Sequence, residues 1–112
     1  MTGFLTRRDG ARGIQHDPHR AGTVAGDPGS RRVLITGAAS GLGLAMAREY
    51  LALGDEVILT DIHTGPTDEV RSLAGNWSYR RLDVTSDEDW QATADAVDAL
   101  DILVNNAGIA IG

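Results

Sequence analysis

Cysteine and lysine are both absent from this chain of 112 residues, and all ten of its basic residues are arginine. Without cysteine there is no disulfide, no thiolate metal site and no cysteine nucleophile. Without lysine, whole classes of catalytic mechanism are closed, and so is the lysine-bearing phosphate loop of the Walker type. Aromatic residues are scarce, 4% of the chain, so any core is aliphatic. No apolar run approaches the roughly 18–20 residues of a membrane span. The N-terminal stretch lacks the apolar segment of about 7–15 residues that marks a secretory signal. Its Asp9, Asp17 and Asp27 are out of place in a mitochondrial transit peptide, which is poor in acids. A cytoplasmic protein with no membrane partner is the expectation.

What remains is globular in composition, 42% apolar and 23% charged, with room for one domain. The net charge of −6 is unevenly placed. Residues 1–32 carry six Arg and three Asp, a balance of +3, and residues 33–112 carry four Arg and thirteen acids, a balance of −9. The acidic body argues against nucleic acid, whose binders need clustered basic residues. Residues 1–31 read as a disordered leader. The few large apolar residues there, Phe4, Leu5, Ile14 and Val24, follow no helical or strand period. His16 and His19 flank Asp17, but Pro18 breaks any helix there, and no metal site is expected.

From Arg32 onward, strand and helix signals alternate. Residues 33–36 and 56–61 are aliphatic runs of the kind that form fully buried strands. Residues 77–84 and 101–105 read as a third and a fourth strand. A helix is predicted over 42–53, with Leu42, Met46, Tyr50 and Leu53 as its apolar stripe and Gly54 as its stop. A short helix is expected over 67–74. Another opens at Thr85, with Glu88 completing a capping box and Trp90, Ala94 and Val97 on one face. This β-α-β-α-β-α-β alternation implies an α/β fold, a parallel sheet with helices on both faces.

Candidate chemistry gathers at the ends of the strands. Thr36-Gly37-Ala38-Ala39-Ser40-Gly41-Leu42-Gly43 puts three glycines between a strand and a helix start. Glycine there permits a tight turn and close approach of a pyrophosphate, which the helix N-terminus favours. The spacing is not G-x-G-x-x-G, and a plain glycine-rich connector is the alternative. Asp61 ends the second strand, 20 residues after Gly41. Its carboxylate suits both ribose hydroxyls of an adenosine and repels a 2′-phosphate, which favours NAD over NADP; no arginine adjoins it in the sequence. Asp83-Val84 is placed either near an adenine amino group or in a turn before Thr85. The amides of Asn105-Asn106-Ala107-Gly108 can tie strand ends together, and Gly108 leaves room for a cofactor sugar. His63 is assigned to a solvated loop. Trp77 and Trp90 are assigned to packing, and of Arg80 and Arg81 one is expected to be solvated and one partly packed.

These motifs, in this order, resemble the N-terminal part of the short-chain dehydrogenase/reductase family over residues 32–112. Residues 36–43 fit its T-G-x-x-x-G-x-G loop, Asp61 its NAD-selecting acid, Asp83-Val84 its adenine-contacting pair, and residues 105–108 its N-N-A-G motif. The resemblance implies a Rossmann-like sheet, incomplete here, in the order 3-2-1-4. It implies a site for NAD(H) made by Gly37, Ser40, Gly41, Leu42, Gly43, Asp61, Ile62, Asp83, Val84, Asn106, Ala107 and Gly108. It implies hydride transfer between a nicotinamide and a small alcohol or carbonyl substrate. The link from Trp90 to Asp101 is shorter than is usual in the family. The family's Ser and Tyr-x-x-x-Lys are missing, since Tyr50 and Tyr79 have no such context and there is no lysine. The chain is therefore expected to be a fragment without catalysis of its own, marginally stable, with an apolar fourth-strand edge open to self-association. A non-catalytic nucleotide- or partner-binding module is the alternative.

Overall fold

The computed structural model describes residues 27–107. Four strands, β1 (Arg32–Thr36), β2 (Glu56–Asp61), β3 (Trp77–Arg81) and β4 (Ile102–Val104), pair in parallel in the order β3-β2-β1-β4. Between them lie α1 (Gly41–Ala52), α2 (Asp68–Arg71) and α3 (Asp87–Ala96). This is the parallel sheet and strand order expected.

The central strands are buried on both faces, which is why they read as unbroken aliphatic runs. Val33, Ile35, Val57 and Leu59 pack with Leu44, Ala47 and Leu51 of α1 and with Val70 of α2. Leu34 and Ile58 point the other way, onto Leu100, with Val97 and Leu103 beside them. Each such fully buried aliphatic side chain stabilises the fold by about 1.5–3 kcal/mol relative to an exposed one.

The buried face of α1 differs from the expected stripe. Gly43, Leu44, Ala47 and Leu51 are buried, whereas Leu42 and Leu53 are 67% and 51% exposed; Met46 and Tyr50 are half-buried. The small residues Gly43 and Ala47 face the sheet because the helix lies close to the β1 turn. The helix ends as predicted at Gly54 (φ +91°), whose N–H donates to the Leu51 carbonyl while that of Asp55 donates to Tyr50. This pair of bonds closes the helix end.

Other boundaries shift inward. α2 spans four residues, capped by Thr67, not the eight of 67–74. β3 stops at Arg81, so Asp83-Val84 lies in the loop beyond it. The cap of α3 is Ser86, whose Oγ accepts from the Asp89 N–H; Thr85 with Glu88 does not form the expected box. Thr85 instead turns its hydroxyl to Asp83. β4 is confined to Ile102–Val104.

At the rim where the strands begin, ion pairs close the sheet. Asp55 is fully buried and accepts from the Gly29 and Arg31 amides and from the Arg31 guanidinium, with Nη2–Oδ2 at 2.9 Å. Burial alone raises its pKa, but the Arg31 side chain and the two amides outweigh this and hold it below the usual carboxylate value. The Arg31 guanidinium also stacks 5.6 Å above the Tyr50 ring. Arg32 pairs with Glu56 at 3.1 Å, and its amide donates to Asp101. Residues 27–31, assigned from the sequence to the leader, are thus fastened to the body; residues 1–26 lie outside the described residues.

Candidate functional site

The glycine turn, Asp61, Asp83-Val84 and Asn105-Asn106-Ala107 lie at the opposite rim, where the strands end. The turn after β1 begins at Gly37, whose φ of +65° few other residues adopt without strain. The turn is tied to β2, because Ala38 N–H donates to the Thr60 carbonyl at 2.9 Å and Ala39 N–H to Asp61 Oδ2 at 2.9 Å. A β-carbon at Gly43 would collide with the Gly37 carbonyl and stand 2.7 Å from Asn106 Nδ2. Glycine at position 43 is therefore what lets α1 start against its own turn.

The end of β4 locks to the same turn. Asn106 Nδ2 donates to the Thr36 and Gly37 carbonyls at 3.3 and 3.2 Å. Thr36 Oγ1 accepts from Ala107 N–H at 3.0 Å and donates to Asn105 Oδ1 at 3.1 Å. The asparagine amides thus join strand ends, as their sequence position suggested.

The turn also leaves a helix end open. Ser40 occupies the cap position of α1 but its side chain makes no capping bond, and no acid stands in the first turn. By contrast, Thr67 and Ser86 cap the other two helices, and both have acids in the first turn. Around Gly41 (φ +58°), a β-carbon would meet nothing within 4 Å.

This end of α1 borders an open cleft of about 580 Å³. Gly37, Ser40, Asp61, Ile62, Asp83, Val84, Asn106 and Ala107 line it, which brings together eight of the twelve candidate residues. Gly41, Leu42 and Gly43 do not line it: Gly43 is buried against the turn, and Leu42 projects into solvent. Gly108 lies outside the described residues. Leu82 and Thr85 line the cleft and were not foreseen. Thr85 had a signal, because Asp followed two residues later by Thr is a side-chain turn pattern; Leu82 had none.

Asp61 uses both carboxylate oxygens, Oδ2 for Ala39 N–H and Oδ1 for Ile62 N–H at 2.8 Å. Asp83 makes the turn read as its alternative: Oδ1 accepts from the Thr85 amide at 2.9 Å and from its hydroxyl at 2.6 Å. The hydroxyl bond first, then the amide, hold the Asp83 pKa below the ordinary carboxylate value. α3 holds this wall from behind. Asp89 Oδ2 accepts from Asp83 N–H and from Arg81 Nη1, each at 2.9 Å, and Trp90 Nε1 donates to the Val84 carbonyl at 2.9 Å. Arg80 is the partly packed arginine, bonded to Thr93 and the Ala92 carbonyl, while Arg81 is exposed. No arginine adjoins Asp61 in the sequence, yet strand pairing puts Arg81 directly across from it. His63 is exposed, and its carbonyl accepts from Tyr79 Oη at 2.7 Å. Burial, and then the negative charge of Asp61, raise the Tyr79 pKa.

Among the described residues no three side chains could hold a metal ion, and no helix is long and apolar enough to cross a membrane.

Comparison with known proteins agrees with the motifs. Residues 31–112 match the family described as short chain dehydrogenase. A curated relative, 2,5-dichloro-2,5-cyclohexadiene-1,4-diol dehydrogenase of Sphingobium indicum, is 42% identical over 84 residues, covering 68% of this chain and 34% of its own. The crystal structure of a short chain dehydrogenase from Mycobacterium smegmatis superposes with a TM-score of 0.64 at 37% identity, over 73% of this chain and 38% of that one. A 4-hydroxyisoleucine dehydrogenase complexed with NADH gives 0.63 at 26% identity, over 71% and 35%. The chain spans about a third of the length of the curated relatives it matches.

Proposed function

The chain belongs to the short-chain dehydrogenase family, and from that premise we propose that its cleft binds the adenosine and pyrophosphate of NAD(H) as the cofactor-binding part of an oxidoreductase acting on alcohol or carbonyl substrates. The observation that carries this reading is the meeting, on one cleft, of an uncapped helix start and an Asp61 carboxylate with acceptor capacity to spare.

The residues present fit such a group. A carboxylate has about four lone-pair sites, and the two amides on Asp61 use two. The remaining two suit the paired hydroxyls of a ribose. The open space at Gly41 and the uncapped first turn of α1 suit a pyrophosphate, which backbone N–H groups and the helix dipole both favour. Asp83 and Val84, on one wall of the cleft, would take the adenine edge, and Gly37, Asn106 and Ala107 would border the nicotinamide end. When bound, the nicotinamide accepts or gives up a hydride. The Tyr-x-x-x-Lys pair by which the family moves the matching proton is not in these 112 residues, so dinucleotide binding is the activity proposed for them.

The negative charge of Asp61 argues for NAD over NADP, whose 2′-phosphate it would oppose. Its absence should be felt directly, since two hydrogen bonds to a charged acceptor are at stake, each contributing about 1.5 kcal/mol or more. Calorimetric titration with NAD and NADP tests this. NAD should bind about tenfold or more tightly than NADP, and Asp61→Ala should weaken NAD by about a hundredfold or more and erase the preference. Binding of neither dinucleotide, or tighter binding of NADP, would overturn the reading.

The outer edge of β4 pairs with no strand among the described residues, and Ile102, Leu103 and Val104 are only half-buried. Self-association through this edge belongs to the same proposal. It predicts a sedimentation coefficient that rises with concentration. A cytoplasmic location is proposed with it.

A further inference from the structure

We propose that Arg81 and Asp89 form a specificity-determining pair for the adenosine ribose, in which Asp89 holds the cation beside Asp61 away from the position a 2′-phosphate would take. The inference rests on the reading above, that the ribose sits at Asp61.

Arg81 is the register partner of Asp61 across β2 and β3, which sets their Cα atoms about 4.8 Å apart. Tyr79, two residues earlier on β3, packs against the same core face as Leu59, two residues before Asp61. Strand alternation therefore starts the Arg81 and Asp61 side chains on one face. Arg81 is long enough to lie beside the Asp61 carboxylate and cancel its charge. It does not do so. Its Nη1 reaches over the strand end to Asp89 Oδ2 on α3 at 2.9 Å. Asp89 is itself well fixed, since the same oxygen accepts from Asp83 N–H and its own amide donates to Ser86 Oγ. The arginine is 46% exposed, so its alternative rotamers have room. No cationic side chain is among the residues lining the cleft.

The function of the pair follows from the charges. With Arg81 paired to Asp89, the Asp61 carboxylate at the ribose end of the cleft is not ion-paired by it, and so favours a diol over a phosphate. With Arg81 released, the same place would offer a guanidinium to a 2′-phosphate, a charge-assisted and often two-pronged contact. A part-exposed ion pair is weak, so a single change on α3 suffices to free the arginine.

The test is the ratio of the dissociation constants for NADP and NAD, measured by calorimetry on the 112-residue chain. Asp89→Asn keeps an oxygen for Asp83 N–H but drops the charge that holds Arg81. It should lower the ratio roughly three- to tenfold, chiefly through tighter NADP binding. Adding Arg81→Gln should restore the ratio, and Arg81→Gln alone should not lower it. Asp89→Ser, which keeps a hydroxyl acceptor, makes the same comparison should Asp89→Asn fail to fold. A purely structural Asp89 would weaken both dinucleotides alike, and an unchanged ratio overturns the inference. If Asp61→Ala erases the preference while the Asp89 variants leave it intact, this inference falls and the cofactor reading stands. If the unsubstituted chain binds neither dinucleotide, both fall.

Discussion

The sheet has carboxylates at both rims, and their partners differ. Where the strands begin, Asp55 is fully buried and holds an arginine guanidinium together with two amides, while Asp101 takes the Arg32 amide. Where the strands end, Asp61 and Asp83 accept from amides and one hydroxyl, and both border the cleft. α1 runs between these rims and shows the same contrast. Its C-terminal end is closed by the Gly54 turn, and its N-terminal end is left uncapped. A buried charge needs an opposite charge to be tolerable, so the first rim can do little except stabilise. A half-exposed carboxylate satisfied by amides keeps lone pairs for something else. The comparison teaches that burial and an acid's donors, more than its presence, decide whether it has acceptor capacity left for another group.

Four changes would break or sharpen that contrast. Arg31→Ala strands a buried Asp55 and should cost about 3 kcal/mol, seen as a lower midpoint in urea, with NAD affinity of the folded protein unchanged. An affinity loss alongside would mean the two rims are coupled. Gly43→Ala places a β-carbon against the Gly37 backbone, where nothing flexible can yield. It should cost about 1–3 kcal/mol and weaken NAD severely, by disturbing the turn itself. Thermal melts and titrations that move together support this; wild-type behaviour in both refutes the close packing.

Ser40→Asp is the sharper tool, because its two effects oppose. A carboxylate at the open start of α1 should stabilise the free protein by about 0.5–1 kcal/mol through the helix dipole. The same charge should repel a pyrophosphate and weaken NAD about tenfold or more. Stabilisation without loss of affinity would place the pyrophosphate elsewhere. The smallest effect is in acid. Asp55 has a folded pKa below its unfolded value, so its stabilisation is complete above the unfolded value and is lost as pH falls through the folded one. The melting temperature should drop as pH is lowered below about 4, and Asp55→Asn should flatten that drop. Equal slopes in the two proteins would remove Asp55 as a cause.

Much of this was legible in the sequence, for physical reasons. Strands buried on both faces write themselves as aliphatic runs, so β1 and β2 could be read almost to the residue. The glycine turn, Asp61 and Asp83-Val84 could be placed at strand ends, the rim at which ligands of such sheets generally bind. Less could be read where burial falls on small residues. The face of α1 was misplaced because Leu42 and Leu53 outweigh Gly43 and Ala47 on any hydrophobic scale, while close packing on the β1 turn selects the small pair. The end of β3 was set too late, since Leu82 and Val84 extend the apolar stretch, although the alternation of Trp77 and Tyr79 breaks at Arg80-Arg81, where the strand ends. Least legible was the approach of Arg81 to Asp61, 20 residues apart, because register between parallel strands is set by the crossover and not by either strand alone.

One further property comes from the bond between the Trp90 indole and the Val84 carbonyl. The chain has two tryptophans, and this one touches the wall of the cleft through a polar bond to its ring nitrogen. An indole in that position reports electrically on its neighbour. If a base binds there as proposed, ordering or shifting of the Val84 peptide would change the field along the ring and so the colour of its emission. With Trp77 replaced by Phe, Trp90 would be the single optical probe of the proposed occupancy, and a dye-free fluorescence titration would test whether the cleft fills.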